Sequence, residues 1–451
     1  MILNWVVNQL KEVELPLKIP TPKTTIKVAV TGLARSGKSV FLTSLINQLI
    51  ANDKLNFLHD KLDRKFVARL LPPDSVYTRF DYYSKLKAFR AKDPKWPKAT
   101  KSITKTTLEL EFRSRYSLLE NQKIDLELID YPGEWLLDLE MLNLTYEQWS
   151  AKMIDLANQR QRVSDAKEFL QTLTDIKKGD NIDDEILHDI YSEYLKALSY
   201  KNFFYLQPGR FLEPSDMNND PMLIFAPLPI ELKRETLYKR FKSRYNQYVK
   251  EVVKRLYLEH FNSFDTQIVL IDLIRALENG YDSFEDIHLS LKNILKGFSY
   301  GPNSFISKFF NIKIDNVIFV ATKADYFPSS MHNSYKNLLS SMIQDIKQDL
   351  DINHIKTQVD IISAVKSTQS VKAKIDNKTL DCVRGIVEGE FEPSTHFVGV
   401  LPDQYDDREF WQKANFKFPK FKPISFPLRD TSSVEHIRMD RLIYSILKDK
   451  V

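Results

Sequence analysis

A glycine-rich loop, GLARSGKS at residues 32–39, constrains the fold of this chain more than any other feature. It fits the pattern G-x-x-x-x-G-K-[ST] at every fixed position. The apolar run at residues 26–30 has the character of a buried strand, and residues 40–50 carry leucines and isoleucines at helical spacing. A loop of this kind between a strand and a helix is typical of the phosphate-loop fold. We therefore predict an α/β protein with the three-layer fold of phosphate-loop NTPases and a mostly parallel sheet.

Each fixed residue of the loop has a chemical task. The glycines Gly32 and Gly37 allow backbone N–H groups to turn towards anionic oxygens at a helix N-terminus, where the helix dipole also favours negative charge. Lys38 supplies positive charge to the β- and γ-phosphates, and the Ser39 hydroxyl is an oxygen ligand suited to Mg²⁺. The predicted nucleotide contacts of this loop are Gly32, Ala34, Arg35, Ser36, Gly37, Lys38, Ser39 and Val40.

A second motif of the form D-x-x-G, Asp130 to Gly133, ends the apolar segment at residues 126–129. In a phosphate-loop fold, a carboxylate at the end of a neighbouring strand can hold Mg²⁺ through water. Gly133 can then bring a backbone N–H to the γ-phosphate, so that this segment is released when the phosphate is lost. Asp130 is thus a predicted metal-site residue and Gly133 a predicted nucleotide contact. An ordinary turn at the end of a strand is the alternative.

A third motif concerns the base of the nucleotide. The strand-like residues 317–321 lead directly into Thr322-Lys323-Ala324-Asp325, which fits [NT]-K-x-D with Thr in place of the commoner Asn. An aspartate there accepts hydrogen bonds from guanine N1–H and from the exocyclic amine, whereas adenine has an acceptor at N1 and lacks that amine. The motif therefore predicts that Thr322, Lys323 and Asp325 contact guanine, with the lysine stem over the base.

A softer signal follows the apolar run at residues 359–362. Ser363, Ala364 and Val365 stand where such proteins offer a backbone N–H to the guanine oxygen. The four motifs follow one another in the order that a GTP-binding domain requires. They predict GTP or GDP and Mg²⁺ as the cofactors.

In these motifs the chain resembles the translational-type GTPases and, more closely, the YcjX family of bacterial phosphate-loop GTPases. The closer resemblance lies in GLARSGKSVFLTSLINQL (residues 32–49), DYPGEWLLDL (130–139), ATKADYFP (321–328) and HIRMDRL (436–442). It implies a Ras-like G domain, a helical subdomain inserted after the second switch, and a cytoplasmic protein linked with stress responses. It also implies a protein effector, for which an inner-membrane protein is one alternative.

Three residues are candidates for catalysing hydrolysis: Lys38, Glu134 and Arg35. Glu134 stands where Ras-like enzymes use Gln to orient the attacking water, and a carboxylate there could position that water or repel it. Arg35 could act as an arginine finger supplied in cis, because the pattern G-x-x-R-x-G-K-S resembles that of guanylate-binding proteins. Pairing of Arg35 with a surface carboxylate is the alternative.

The first switch should supply a threonine that completes the Mg²⁺ shell shortly before the second strand, which we predict at residues 106–112. Thr104 has the better spacing to that strand, and Thr100 is its rival. Residues 51–100 around this switch are charged, aromatic and rich in proline, and we predict irregular structure for them.

The chain is predicted to divide where strand-sized apolar runs give way to long helical periodicity and then return. We predict an amphipathic segment at residues 1–22, a G domain in two parts at 23–134 and 266–370, a helical insertion at 135–265, and a C-terminal part at 371–451. That last part should hold a hairpin near Asn377, a stretch rich in Pro and Phe, and a helix at 434–447 packing on the G domain. The one cysteine, Cys382, forms no internal disulfide, so we expect a cytoplasmic protein.

Charge gives weaker guidance about partners. The net charge of +5, from 65 basic and 60 acidic residues, is too small to indicate nucleic-acid binding, and no nucleic-acid partner is expected. Residues 231–260 hold nine Lys or Arg residues against four Glu residues. This run is either a solvated helix face or a peripheral contact with an anionic inner membrane.

The leading hypothesis is a Mg²⁺-dependent GTP-binding and slowly hydrolysing switch in a stress-related process. Two alternatives stay open. One is an ATP-dependent phosphate-loop protein in which the T-K-x-D motif is accidental. The other is a module that binds nucleotide with little turnover.

Overall fold

The computed structural model describes residues 22–33, 35–73, 78–98, 102–114, 120–212, 220–260, 264–296, 314–424 and 432–451. Ala34 and Thr100, and residues 1–21 of the predicted amphipathic segment, lie outside the described residues. The strands are β1 (Thr24–Gly32), β2 (Phe66–Leu70), β3 (Thr78–Arg79), β4 (Thr104–Phe112), β5 (Gln122–Asp130), β6 (Phe264–Ile271), β7 (Ile314–Ala321), β8 (Lys356–Ile361), β9 (Thr368–Ile375), β10 (Lys378–Gly385) and β11 (Ser394–His396).

Helices separate most of these strands. They are α1 (Lys38–Ala51), α2 (Asn56–Leu62), α3 (Tyr82–Phe89), α4 (Gly133–Leu137), α5 (Tyr146–Ala157), α6 (Lys167–Lys177), α7 (Asp184–Tyr200), α8 (Thr236–Tyr248), α9 (Lys254–His260), α10 (Ile274–Asn279), α11 (Tyr281–Lys296), α12 (His332–Met342), α13 (Gln344–Ile352), α14 (Arg408–Lys413) and α15 (Met439–Leu447). Single 3-10 turns occur at Asp138–Asn143, Gly209–Phe211, Pro221–Leu223, Ile230–Leu232, Ala324–Tyr326 and Ser329–Met331, and a π turn at Val249–Val253 joins α8 to α9.

The central sheet is mostly parallel, with strand order β2-β4-β5-β1-β6-β7-β8 and β3 paired beside β4. β1 runs parallel to both β5 and β6, and β7 runs parallel to β6 and β8, whereas β4 is antiparallel to β5. The central strands are apolar on both faces because helices cover both faces. The carboxyl ends of the parallel strands therefore meet at one edge of the sheet, where ligands of such folds bind. This arrangement confirms the predicted three-layer α/β fold.

Two apolar clusters form the layers on either side of the sheet. On one side, α1 and α15 pack against Val28 and Val30 of β1. On the other side, the helices between β5 and β6, together with α11 and α12, pack against Ala29 and Ile129. Alternate residues of β1 thus serve opposite clusters, as the two-residue repeat of a strand requires.

The chain between β5 and β6 is helical and has an aromatic core of its own. The Trp149 ring lies 5.5 Å from the Phe225 ring and 5.2 Å from the Tyr245 ring, measured between centroids. This region confirms the predicted helical periodicity, while the exact domain boundaries stay a prediction. It touches the second motif through Gly209, where a Cβ atom would lie 2.0 Å from the Glu134 carbonyl oxygen.

The prediction of irregular structure for residues 51–100 is wrong. This segment contains α2, β2, β3 and α3, and β2 extends the sheet by pairing with β4. Its elements are short, but Leu58, Phe66 and Phe89 are buried in the same cluster as α1. The prolines lie in the connections, so they end elements rather than prevent them.

The C-terminal part matches the prediction only in part. The hairpin is confirmed: Asp376 and Asn377 both have positive φ angles, as a two-residue type I′ turn requires, and β9 pairs with β10 on either side. The last helix is shorter than predicted and begins at Met439. Arg438 before it has a φ of +60°, and Ile437 instead pairs with Ser363 in an isolated β-bridge.

Several basic side chains of residues 231–260 are paired inside the helical region. Arg240 and Arg244 both contact Asp184, at 2.6 and 2.8 Å, and Lys242 contacts Glu147 at 2.6 Å. These three charges stabilise helix packing and are therefore less available to a membrane. None of the helices in the described part of the chain is both long and apolar enough to cross a bilayer.

We predict that Gly209→Ala destabilises the protein by about 3 kcal/mol or more, because the added Cβ atom would collide with the backbone of Glu134 rather than with a movable side chain. Chemical denaturation would measure this loss. Gly179→Ala is the matched control: Gly179 has a φ of +107° but nothing within 4 Å of its Cβ position, so only the conformational cost of about 1 kcal/mol should appear. Equal losses in the two variants would contradict the close contact.

Candidate nucleotide-binding site

The phosphate loop has the shape that its glycines predict. Gly37 has a φ of +89° and caps α1, and Lys38 begins the helix. The Lys38 Nζ atom donates to the Gly32 carbonyl oxygen at 3.2 Å. A Cβ atom at Gly32 would lie 2.7 Å from the Leu270 carbonyl oxygen as well as 2.2 Å from the Ser36 Oγ atom, so a larger residue would displace the backbone here. No described side chain caps the N-terminus of α1, which leaves its dipole available to an anion.

The second motif lies directly against this loop. A Cβ atom at Gly133 would lie 1.9 Å from the Gly32 carbonyl oxygen, so the two backbones touch. Asp130, at the end of β5, is 2% exposed, and neither of its carboxylate oxygens has a hydrogen-bond partner among the described residues. Burial raises the pKa of Asp130 to about 6, against the opposing effect of the positive charges of Lys38 and Lys85. A buried carboxylate without a protein partner is typical of a site that binds a cation or ordered water.

The surroundings of Asp130 fit a magnesium ion. Ser39, in the first turn of α1, is 7% exposed, and Thr104 is 3% exposed and pairs with Asp130 across the β4–β5 ladder. Residues directly opposite in a ladder place their side chains on the same face of the sheet. Two hydroxyls and one unpartnered carboxylate are the hard oxygen donors that Mg²⁺ prefers. Thr104 is the first residue of the strand rather than a loop residue before it, and its role stays a prediction.

The third motif is held firmly at the end of β7. The Asp325 Oδ2 atom accepts hydrogen bonds from the backbone N–H of Ser367, at 2.7 Å, and from its hydroxyl, at 2.6 Å. Within the described residues no donor contacts the Oδ1 atom, although Asp325 is only 4% exposed. Thr322 donates its N–H to the Ile271 carbonyl at 2.9 Å and accepts from Tyr335 at 2.8 Å. The carboxylate is therefore oriented and retains one oxygen for a ligand.

The ammonium group of Lys323, for which the sequence predicts no partner, is paired with a carboxylate. Its Nζ atom donates to the Asp272 Oδ2 atom at 2.6 Å, and its backbone has a φ of +60°. Asp272 follows β6 and is 3% exposed. The ammonium group is thus fixed, while the stem of Lys323 lines the cleft described below.

The loop at residues 363–365 offers fewer donors than its length indicates. The Ser363 N–H already donates to the Ile437 carbonyl at 3.1 Å, and its hydroxyl donates to the Val365 carbonyl at 3.0 Å. The Ala364 carbonyl accepts from Ser44 at 2.5 Å. A contact with guanine would therefore come from the N–H of Ala364 or Val365.

One cleft of about 240 Å³ joins the phosphate loop to the base motifs. The predicted residues that line it are Arg35, Ser36, Gly37, Val40, Thr322, Lys323, Asp325, Ser363, Ala364 and Val365. The predicted residues Gly32, Lys38, Ser39, Thr104, Asp130 and Gly133 do not line it but lie beside its phosphate end. Glu134 lies apart, half-buried in a small pocket against Leu33 and Phe204.

Several residues that line this cleft were not predicted from the sequence. Trp96 comes from the segment predicted to be irregular, and its Nε1 atom donates to the Phe421 carbonyl at 2.8 Å. Phe421 belongs to the C-terminal Pro- and Phe-rich stretch. Ser367 was within reach of the sequence, because it closes the run S-A-V-K-S that begins at Ser363. The other walls carry no motif and come from distant parts of the chain.

Within the described part of the chain, Arg35 forms no ion pair with a carboxylate. Among the described residues its side chain contacts only Asn202, with 3.4 Å between Nη1 and Oδ1, and its φ is +63°. Burial and the neighbouring charge of Arg275 lower the pKa of Arg35. No described carboxylate pairs with this guanidinium at the mouth of the loop, and the choice between a catalytic Arg35 and a surface ion pair stays a prediction.

Comparison with known proteins agrees with this geometry. The model of the YcjX-like family, DUF463, matches residues 26–451. The chain belongs to the YcjX-like family. It is similar to the Ras-like GTPase YcjX of Escherichia coli (strain K12), with 32% identity over 94% of this chain and 96% of the relative. It is also similar to the Ras-like GTPase YcjX of Shewanella oneidensis (strain MR-1), with 30% identity over 94% of each chain. The predicted family and the Ras-like fold of this YcjX-like protein are thus confirmed.

We predict that Asp130→Asn stabilises the protein in the absence of nucleotide and metal. Because the folded state raises the pKa of Asp130 from 3.8 to about 6, ionisation lowers the free energy of unfolding as the pH rises through that window. Asparagine cannot ionise, so the variant should be more stable by roughly 1–3 kcal/mol above about pH 7 and by progressively less towards pH 4.

Thermal unfolding across this pH range would measure the difference. Asp325→Asn is the matched control, because its buried carboxylate already has Ser367 as a partner and should gain nothing. With saturating Mg²⁺ and GTP, wild type should instead be more stable than Asp130→Asn. A variant that is less stable than wild type without ligand would show that the carboxylate is not strained.

Proposed function

We propose that this protein is a Mg²⁺-dependent GTP-binding and GTP-hydrolysing switch. The observation that carries the proposal is the single cleft that joins Ser36 and Gly37 of the phosphate loop to Asp325. An anchored carboxylate with one unused oxygen suits guanine, which has two donors on that edge, and rejects adenine, which would leave the Oδ1 oxygen buried without a donor. Its relatives in Escherichia coli and Shewanella oneidensis carry the name Ras-like GTPase.

Magnesium would be held by the hydroxyls of Ser39 and Thr104 and, through water, by Asp130. When bound, it neutralises charge on the β- and γ-phosphate oxygens. Ionised Asp130 is needed for this role, so nucleotide binding should weaken as the pH falls through about 6. Lys38 would hold the phosphate chain from the other side, and Gly133 would offer its N–H to the γ-phosphate.

Two residues compete for the catalytic role. Arg35 has no carboxylate partner among the described residues and lies on the loop that holds the phosphates. Glu134 is nearer to Asp130, where its charge contributes to raising the pKa of that carboxyl. In the described state the Arg35 guanidinium contacts Asn202 and must leave this oxygen before it can act on a phosphate, so we propose slow turnover for the isolated protein.

The helical region would pass the nucleotide state to a protein effector. Its contact with Glu134 through Gly209 supports such coupling. An inner-membrane protein as that effector, peripheral binding of residues 231–260 to anionic lipid, and a role in a stress-related cytoplasmic process rest on the family resemblance and the charge run. A lack of binding to anionic liposomes at low salt would remove the lipid contact.

We predict that Asp325→Asn changes the base preference from guanine to xanthine. Asparagine presents a donor to the position where guanine carries its amine and xanthine carries a carbonyl, so GTP affinity should fall about 100-fold or more while XTP affinity rises. Competition between labelled GTP and XTP would measure the change. Lys38→Ala serves as the control and should weaken both nucleotides. Competition of bound GTP by excess ATP in the wild type would instead favour an ATP-dependent protein.

We predict that Arg35→Ala lowers kcat by about 10³-fold with a much smaller change in GTP affinity, as removal of an arginine finger does. Single-turnover phosphate release would measure this, with Glu134→Ala as the paired variant. Loss of turnover in Glu134→Ala alone would give the catalytic role to Glu134. Background phosphate release from wild type that binds GTP tightly would favour the binding module.

A further inference from the structure

Among the residues that line the cleft is an arginine that belongs to none of the motifs and has none of the roles proposed above. Arg275, in α10, lines the cleft together with Ser36 and Gly37. Its Nη1 atom donates to the Asn202 Oδ1 atom, the same oxygen that Arg35 contacts. Its side chain is 24% exposed. Two guanidinium groups therefore converge on one neutral amide oxygen at the mouth of the phosphate loop.

The protein supplies too little negative charge for this cluster. Asp272 lies 4.0 Å from the Arg275 Nε atom, but the same oxygen lies only 2.6 Å from Lys323. Of the other carboxylates that line the cleft, Asp325 is bound by Ser367. Neither Asp325 nor Glu388 forms an ion pair with Arg275 or Arg35 within the described residues. Within the described residues Lys323 and Arg275 thus share Asp272, and Arg35 pairs with no carboxylate, which leaves an excess of positive charge that attracts an anion.

Hydrogen bonds to α11 fix the position of the loop that carries Asn202. Asp286, in α11, accepts hydrogen bonds from the backbone N–H groups of Phe204 and Tyr205, at 2.5 and 3.2 Å. Arg162 pairs with the same carboxylate at 2.5 Å, and both side chains are about 5% exposed or less. The loop that carries Asn202 is therefore rigidly attached to α11. Its amide oxygen occupies a position where a charged oxygen would bind two guanidinium groups more strongly.

We propose that Arg275 is a second cationic contact for the phosphate chain of the bound nucleotide, which it reaches by exchanging the Asn202 oxygen for a phosphate oxygen. This inference rests on the proposed function. Arg275 lies between Lys323, which belongs to the base motif, and Arg35 on the phosphate loop. It therefore contacts the part of the phosphate chain that GDP and GTP share, whereas Arg35 acts on the transferred phosphoryl group.

Substitutions of Arg275 and of Asn202 should have opposite effects on nucleotide affinity. Arg275→Gln removes the charge and should weaken binding of both GDP and GTP about tenfold, the effect of losing one charge-assisted hydrogen bond. Arg275→Lys should recover part of that loss. Asn202→Ala removes the competing acceptor, so its affinity for both nucleotides should equal or exceed that of wild type. Binding of fluorescent GDP and GTP analogues at two salt concentrations would measure these changes.

The controls separate this inference from the proposed function. Arg240→Gln removes a paired arginine far from the cleft and should bind as wild type does, and thermal unfolding would show that each variant is folded. If wild type binds no guanine nucleotide, the proposed function fails and this inference fails with it. If wild type binds and Arg275→Gln binds equally well, only the inference fails. Equal weakening in Arg275→Gln and Asn202→Ala would show that Arg275 merely holds the helical loop, and would overturn the phosphate contact.

Discussion

Three parts of this molecule, the phosphate loop, the second motif and the helical region, are joined by direct contacts between their backbones. Gly133 touches the carbonyl of Gly32, and Gly209 touches the carbonyl of Glu134. A Cβ atom at either glycine would lie within 2.0 Å of a carbonyl oxygen, so no other residue fits without displacement of the backbone. The second motif therefore lies between the phosphate loop and the helical region, and a shift of its backbone must displace both of them.

The second feature that unites the structure is unbalanced charge at the site. Asp130 is a buried carboxylate without a described partner, while Arg35 and Arg275 share one neutral oxygen. The first arrangement is unfavourable because buried charge is tolerated only when it is paired, and the second because two like charges repel each other across one neutral oxygen. Together they describe a protein whose site is preorganised for a ligand that carries both a cation and several anionic oxygens. A nucleoside triphosphate with its metal has that composition, and under the proposed function its binding would relieve both arrangements.

The fold and the ends of its strands could be predicted from the sequence because they rest on local signals. Apolar runs of strand length, each ended by a glycine-rich or acidic motif, are sufficient to place Asp130 and Asp325 at one edge of a parallel sheet. Residues that reach the site from other elements give no such signal. Asp272 and Asn202 follow ordinary elements, Arg275 lies at the start of α10, and only tertiary packing brings them together. The helices and strands of residues 51–100 were missed for a related reason, because they are too short for periodicity to outweigh their prolines.

The helical region is bound to the second motif by more than Gly209. Asp138, just after α4, accepts hydrogen bonds from the Gly209 N–H at 2.8 Å and from the Tyr248 hydroxyl at 2.5 Å. Tyr248 ends α8 where the π turn begins, and π turns of this kind often mark functional positions in helices. Asn202, which also belongs to the helical region, contacts Arg35 at the mouth of the phosphate loop. The helical region is thus attached at two points, one sensitive to the position of Gly133 and one to the charge that Arg35 and Arg275 bind, and loss of a phosphate would alter both attachments together.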